Sequence, residues 1–146
     1  MTKLNFLCPK HRSELINHPA KAIAFWQKGF DTGQFYCDKE QWHDAIPHLG
    51  CAYESAEIML TSQAIDTRSA YEILTESAIL LANSFNYVRF KESALTVFSL
   101  TINRLERELH FNPNSAIDIQ PHLQALCSIR HLSFPVHEMQ KLSQLH

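Results

Sequence analysis

Apolar side chains recur every three or four residues through residues 24–59, which is the spacing of a helix with one buried face. One short polar run interrupts this pattern. The sequence therefore predicts a helix over residues 19–37 and another over residues 40–61, folded back on each other as an antiparallel hairpin. Pro47 and Gly50 fall inside the second helix and predict a kink there, because proline removes a backbone hydrogen bond.

A later stretch of the chain has the same organisation. Its apolar stripe covers residues 68–85, breaks for four residues and resumes over residues 90–109. Asp66 or Thr67 is the expected N-cap, since short polar side chains can accept a hydrogen bond from the first turn. The stretch is predicted to form a second hairpin like the first.

Shorter elements are predicted on either side of the hairpins. Residues 1–8 are expected to be an irregular lead-in, and residues 10–16 a short helical turn. The break at residues 110–115 should end the fourth helix, after which residues 116–131 continue helically. In the C-terminal tail, one apolar stripe predicts a short helix that caps the fold. This stripe consists of Val136, Met139, Leu142 and Leu145.

The two predicted hairpins match each other position by position. Small residues stand at the expected helix crossings of both, and large residues flank them. The six matched pairs are Gly33 with Ala82, Tyr36 with Phe85, Trp42 with Phe90, Ala45 with Ala94, Leu49 with Phe98 and Ala52 with Thr101. Their separation of about 49 residues predicts a divergent repeat with long helices or connections.

At these positions the first hairpin resembles a tetratricopeptide repeat, a helical hairpin whose small residues let two helices approach to about 8–10 Å. The residues that carry the resemblance are Gly33, Tyr36, Trp42, Ala45, Leu49 and Ala52. Thr32 departs from the family, which usually has a large aliphatic residue there, and Pro47 departs by lying inside the second helix. The resemblance covers residues 24–109. It implies an all-α fold of antiparallel hairpins stacked in a right-handed array, with a C-terminal helical cap.

The resemblance also implies a binding surface, because the first helices of successive tetratricopeptide hairpins line a concave groove. Carried over to this chain, the groove positions are Gln27, Phe30, Gln34, Asp38, Glu76, Ile79, Asn83 and Asn86. The basic residues that clamp a free C-terminus in chaperone-adapter members have no counterpart here. An internal segment or an amphipathic helix is therefore the expected ligand. The alternative is that the C-terminal helices of the chain itself fill the groove.

The implied function is that of a protein-interaction module, an adapter, chaperone-like or regulatory protein whose partner is another protein or peptide. A bacterial secretion chaperone built of such repeats is an alternative, although a third repeat is hard to find in this sequence. No glycine-rich phosphate loop or hydrolase motif occurs, so neither an enzyme nor a cofactor is expected.

Length and composition agree with this interpretation. A chain of 146 residues suits a single domain over residues 1–146. Thirteen basic and fifteen acidic residues give a net charge of −2 without long runs of one sign, which disfavours nucleic acid as a partner. No apolar run is long enough for a signal sequence or a membrane span. The four cysteines are spaced far apart and should be reduced, so a soluble cytoplasmic protein is predicted.

Two groups of Cys and His residues suggest other chemistry. Cys8, His11, Cys37 and His43 could form a zinc site, and this makes a zinc-binding regulatory protein the alternative from another functional class. Cys127 and His131 lie one helical turn apart, near His122 and His137, and could act as a second metal cluster or a nucleophile pair. In both groups the simpler interpretation is a buried thiol, so no metal is assigned.

Six glutamates could in principle supply a pair of carboxylates for acid and base catalysis. They are Glu54, Glu57, Glu72, Glu76, Glu106 and Glu108. On helices rich in polar residues they are more simply interpreted as solvent-exposed positions or arginine partners, such as Arg104 with Glu108. No catalytic residue is assigned.

Overall fold

A computed structural model describes residues 4–133, and within this range the chain is built of helices and contains no strand. The elements are α1 (Pro9–Asn17), α2 (Pro19–Asp38), α3 (Trp42–Ser62), α4 (Thr67–Tyr87), α5 (Lys91–Phe111), a 3-10 turn (Pro113–Ser115) and α6 (Ala116–Ser133). The predicted all-α fold is confirmed, and each predicted helix boundary lies within two residues of the observed one. The stripe predicted for the C-terminal tail lies outside the described residues.

The predicted helix signals operate largely as expected. Asp66 is the N-cap of α4, and its carboxylate accepts a hydrogen bond from the Ser69 N–H at 3.0 Å. Pro19 opens α2 at a position where its missing N–H costs nothing. Pro47 and Gly50 do not interrupt α3, which continues through both as one helix of 21 residues.

Each helix packs against the next one in the chain, and α2 also contacts α4 while α4 contacts α6. The short helix α1 packs on both α2 and α3. The main core lies where α3, α4 and α5 meet, around the fully buried side chains of Tyr53, Leu74 and Phe98. None of the helices in residues 4–133 is both long and apolar enough to cross a lipid bilayer.

The first hairpin is held together by a close approach of α2 and α3 at glycine. A Cβ atom on Gly33 would lie 2.3 Å from the Leu49 Cδ2 atom, and one on Gly29 would lie 2.9 Å from the His48 carbonyl oxygen. Any side chain at Gly33 would therefore collide with Leu49. The predicted role of Gly33 at the helix crossing is confirmed.

The two turns between paired helices have the same backbone geometry, 49 residues apart. Glu40 and Arg89 both take the left-handed conformation, with φ of 58° and 67°. Just after them, the Gln41 N–H donates to the Tyr36 carbonyl at 2.8 Å and the Phe90 N–H donates to the Phe85 carbonyl at 2.8 Å. The repeat inferred from the sequence is thus present in the backbone.

One of the six predicted pairs is wrong by one residue. Phe90 occupies the position of Gln41, as the N-cap residue of its helix, so the counterpart of Trp42 is Lys91. Trp42 instead stacks on Tyr87, with ring centroids 4.0 Å apart and planes 7° apart. The other five pairs keep the spacing of 49 residues.

Candidate functional site

Side-chain hydrogen bonds join α2 and α4 at two places. The Trp26 Nε1–H donates to the Ser77 Oγ atom at 2.9 Å, and nearer the other end the Cys37 Sγ and Ser84 Oγ atoms are 3.4 Å apart. Both serines also donate back to carbonyl groups of their own helix. These contacts fix the spacing between the two helices.

A shallow groove lies between α2 and α4. Phe30 and Gln34 line it from α2, and Glu76, Ile79 and Leu80 line it from α4, around a volume of about 400 Å³. The Phe30 ring packs against Trp26 with centroids 5.2 Å apart, so its base is held in place. Apart from the exposed Glu76, the lining side chains are half-buried and available to a ligand.

The groove contains half of the eight residues predicted for it. Phe30, Gln34, Glu76 and Ile79 come together in one concavity. The other four, Gln27, Asp38, Asn83 and Asn86, lie outside its lining. Leu80 was missed, although its position next to Ile79 and one turn from Glu76 could have suggested it.

The predicted α2 residues of the groove are linked to acidic neighbours. The Gln34 amide donates to Asp38 at 3.1 Å, and the Gln27 amide donates to both oxygens of Asp31 at 3.0 Å. Both aspartates are exposed, as are Glu72 and Glu76 on α4. No lysine or arginine lines the groove, so the surface around it is acidic.

On another side of the array, the chain covers α3 with its own N-terminal segment, which we define as residues 4–8. Leu7 is buried, with 6% of its surface exposed. The Phe6 ring takes the space left by Gly50, where a Cβ atom would lie 2.1 Å from the ring, and it reaches Phe85 with centroids 6.5 Å apart. The segment is irregular, as predicted, but it is packed and hydrogen-bonded to the fold.

Glu54 on α3 anchors this segment, which corrects its interpretation as a solvent-exposed residue. Its side chain is 1% exposed and accepts hydrogen bonds from the Phe6 N–H at 3.0 Å and the Leu7 N–H at 2.6 Å. The Arg12 guanidinium from α1 pairs with it at 2.9 Å. A buried carboxylate requires such partners, because an unpaired one would lose its hydration without compensation.

A cavity of about 600 Å³ lies next to this anchor and is bordered by the N-terminal segment, α1, α3 and α5. Its lining is Leu4, Arg12, Ile16, Tyr53, Glu57, Ile58, Thr61, Ser62, Leu100 and Arg104. The Arg104 guanidinium donates to the Thr61 hydroxyl at 3.0 Å and pairs with Glu108 at 3.1 Å. The predicted pairing of Arg104 with Glu108 is thus confirmed.

Glu57 is the titratable group of this cavity with a displaced equilibrium. Burial raises the pKa of the Glu57 carboxyl, and the negative charge of Glu54 one turn away raises it further. Arg104 and Arg12 act in the opposite direction but do not cancel these effects. Glu57 was also expected to be solvent-exposed, and the structure instead places it half-buried at the cavity wall.

The residues proposed for zinc do not form a site. Within residues 4–133 no three Cys, His, Asp or Glu side chains are grouped so that they could hold a metal ion. The Cys8 Sγ atom instead accepts a hydrogen bond from the His11 backbone N–H at 3.4 Å, as the N-cap of α1. Cys37 is buried against Ser84, while His43 is exposed and its ring meets Phe90.

Cys127 lies on the outside of α6, which contradicts the expectation that it is buried. Its neighbour Leu126 is fully buried, and one residue along a helix turns the side chain by about 100°. Neither His122 nor His131 forms a metal group with it among the described residues. His137 lies outside those residues.

In comparisons with known proteins, no family model matches the chain, and no curated protein or solved structure gives a significant match. The functional argument therefore rests on the residues and the geometry described above.

Proposed function

We propose that this protein is a tetratricopeptide-like interaction module that binds an amphipathic segment of another protein between α2 and α4. The observation that carries the proposal is the groove itself. Phe30 and Ile79 offer apolar surface from the two helices, and the groove lies on helices of successive hairpins. The matching turns, 49 residues apart, support the repeat architecture on which the proposal depends.

The charge around the groove determines which segments fit. Asp31 and Asp38 on α2 and Glu72 and Glu76 on α4 are exposed carboxylates, and no basic residue lines the groove. A segment with lysine or arginine beside its apolar residues would gain electrostatic attraction and faster association. We therefore commit to a basic amphipathic segment, helical or extended, as the ligand. The cytoplasm is the location we propose, where the four free thiols remain reduced.

The α6 helix does not occupy the groove. It packs on α4 and α5, whereas the groove is lined only by α2 and α4. Of the described residues, then, none of α6 competes with a ligand. This favours an external partner over self-occupation by that helix.

The test uses two peptides with the same apolar positions, one carrying lysine and one carrying glutamate at the polar positions. Fluorescence anisotropy should show binding of the basic peptide and at least about tenfold weaker binding of the acidic one. Affinity for the basic peptide should fall as salt rises, since the charges involved are exposed. Equal affinity for the two peptides would contradict the proposal.

Two variants locate the binding. Ile79→Ser should weaken the basic peptide, whereas Phe111→Ser removes a side chain that is 76% exposed at the end of α5 and should leave affinity unchanged. A partner captured from the host supports the proposal only if Ile79→Ser reduces its capture and Phe111→Ser does not. If both variants bind like the wild type, the binding surface is elsewhere.

A further inference from the structure

The cavity bordered by α1, α3 and α5 is separate from the groove and has the composition of a small-molecule site. Its volume of about 600 Å³ lies within the range of about 300–1,000 Å³ usual for such sites. One part of its wall is apolar and is formed by Leu4, Ile16, Ile58 and Leu100. A hydrocarbon body could be buried against this part.

The other part of the wall is polar. Glu57 and Thr61 lie one helical turn apart on α3, and Arg104 of α5 bonds to Thr61. The Ser62 Oγ and Arg104 Nε atoms are buried there without a hydrogen-bond partner. Buried polar groups without partners are uncommon in folded proteins, and they are often found where a water molecule or a ligand binds.

The charges of the cavity do not balance. Arg12 is paired with Glu54 at 2.9 Å, and Arg104 is paired with Glu108 at 3.1 Å. Glu57 forms no hydrogen bond or ion pair with any residue in the described range 4–133. Once the two pairs are accounted for, one carboxylate is left without a counter-charge in a largely apolar cavity.

This arrangement favours a cation over an anion. An ammonium group beside Glu57 would supply the missing counter-charge, whereas a carboxylate would meet Glu57 and find both arginines already paired. The raised pKa of the Glu57 carboxyl has burial as its first cause, and a bound ammonium would oppose that effect. Both considerations point to an amine.

We propose that this cavity binds small amphipathic amines, with the ammonium group on the Glu57 carboxylate and the apolar body against Leu4, Ile58 and Leu100. The site does not depend on the groove between α2 and α4. It assigns a role to the buried carboxylate, which the interaction function leaves without one.

The test compares three ligands with the same hydrocarbon chain, octylamine, 1-octanol and octanoate, by calorimetric titration of the full chain at pH 7. Octylamine should bind at least about tenfold more tightly than 1-octanol, and octanoate should bind most weakly. Equal affinity for octylamine and 1-octanol would overturn the proposal, because the carboxylate would then contribute nothing.

Three variants separate the charge from the apolar wall. Glu57→Gln should reduce the affinity for octylamine to that of 1-octanol and leave 1-octanol unchanged. Leu100→Phe, which narrows the cavity, should weaken both ligands. Glu76→Gln alters an exposed carboxylate of the groove and should change neither. A preference for octylamine that survives Glu57→Gln, or that is lost in Glu76→Gln, would overturn the proposal.

Discussion

The chain covers α3 with its own N-terminal segment but leaves the groove between α2 and α4 open within the described residues. On α3, Gly50 provides the space that the Phe6 ring occupies, and Glu54 accepts the N–H groups of Phe6 and Leu7. In the groove, Phe30 and Ile79 are only half-buried. A surface between helices is thus filled where a missing side chain and a buried acceptor occur together.

The same contrast appears in two glutamates. Glu54 is 1% exposed and is surrounded by partners, whereas Glu76 is exposed at the edge of the groove. Both lie on long helices, and their side chains are chemically identical. What distinguishes them is the chain segment that reaches one of them, so substitutions at the two positions should have very different consequences.

The largest effect is expected for Glu54→Ala. This change leaves the Phe6 and Leu7 N–H groups and the Arg12 guanidinium without their partner. Breaking a buried pair on one side typically costs about 3–5 kcal/mol, so the free energy of unfolding should fall by about that amount. The measurement is urea unfolding followed by circular dichroism.

Glu76→Ala is the matched control and should change the free energy of unfolding by less than about 0.5 kcal/mol, as exposed substitutions usually do. If Glu54→Ala were as mild as Glu76→Ala, the N-terminal segment would not be anchored as described.

The next effect concerns the space beside Phe6. Gly50→Ala would normally stabilise a helix by about 1 kcal/mol, but here the new Cβ atom would lie 2.1 Å from the Phe6 ring. Such overpacking costs about 1–3 kcal/mol, and we expect net destabilisation. In a Phe6→Ala background the same substitution should become neutral or stabilising. Stabilisation by Gly50→Ala in the wild-type background would show that Phe6 does not occupy this space.

A smaller effect is expected for Glu57→Gln, and it should depend on pH. The pKa of the folded state is raised, so the carboxyl destabilises the fold once the pH is high enough to ionise it. The variant should therefore melt at a higher temperature than the wild type at pH 7. The difference should disappear as the pH falls below the unfolded-state pKa of about 4.3, where both side chains are neutral. A variant less stable at pH 7 would contradict the assigned direction.

The smallest effect on stability is expected in the open groove. Ile79 is half-buried, so Ile79→Ser should lower the free energy of unfolding by about 1 kcal/mol or less, compared with about 2–5 kcal/mol for Leu7→Ala beneath the N-terminal segment. Thermal melts of the two variants provide the comparison. A large loss for Ile79→Ser would identify it as a core residue and would remove the groove as a binding surface.

Periodicity was sufficient to predict the helices, because each has an apolar stripe and a recognisable start or break. Asp66 and Pro19 show this most clearly, since a side-chain cap and an N-terminal proline act through their immediate neighbours. The pairing of Phe90 with Trp42 failed because it followed the aromatic character and not the spacing of 49 residues. Chemical likeness was there a poorer guide than register.

Glu54 could not be placed by local pattern, because its partners are backbone groups 47 and 48 residues away. A weaker signal was available in its surroundings. Residues 52–56 of α3 are all buried, and a helix that is buried all round lies in the interior of a fold. The cavity beside Glu57 depends on the same distant segment, and the four of the predicted groove residues that do come together follow from the repeat pattern alone.

The recurring turns also bear on how this protein could be extended. α6 begins at Ala116, which is 49 residues after the start of α4 at Thr67. The stretch of residues 67–115 therefore has one end that follows α3 and another that precedes α6 at the same interval. In repeat proteins stability is approximately a sum over units and their nearest neighbours. A tandem copy of residues 67–115, inserted before Ala116, would be a modular building block that lengthens the array by one hairpin and adds a further groove.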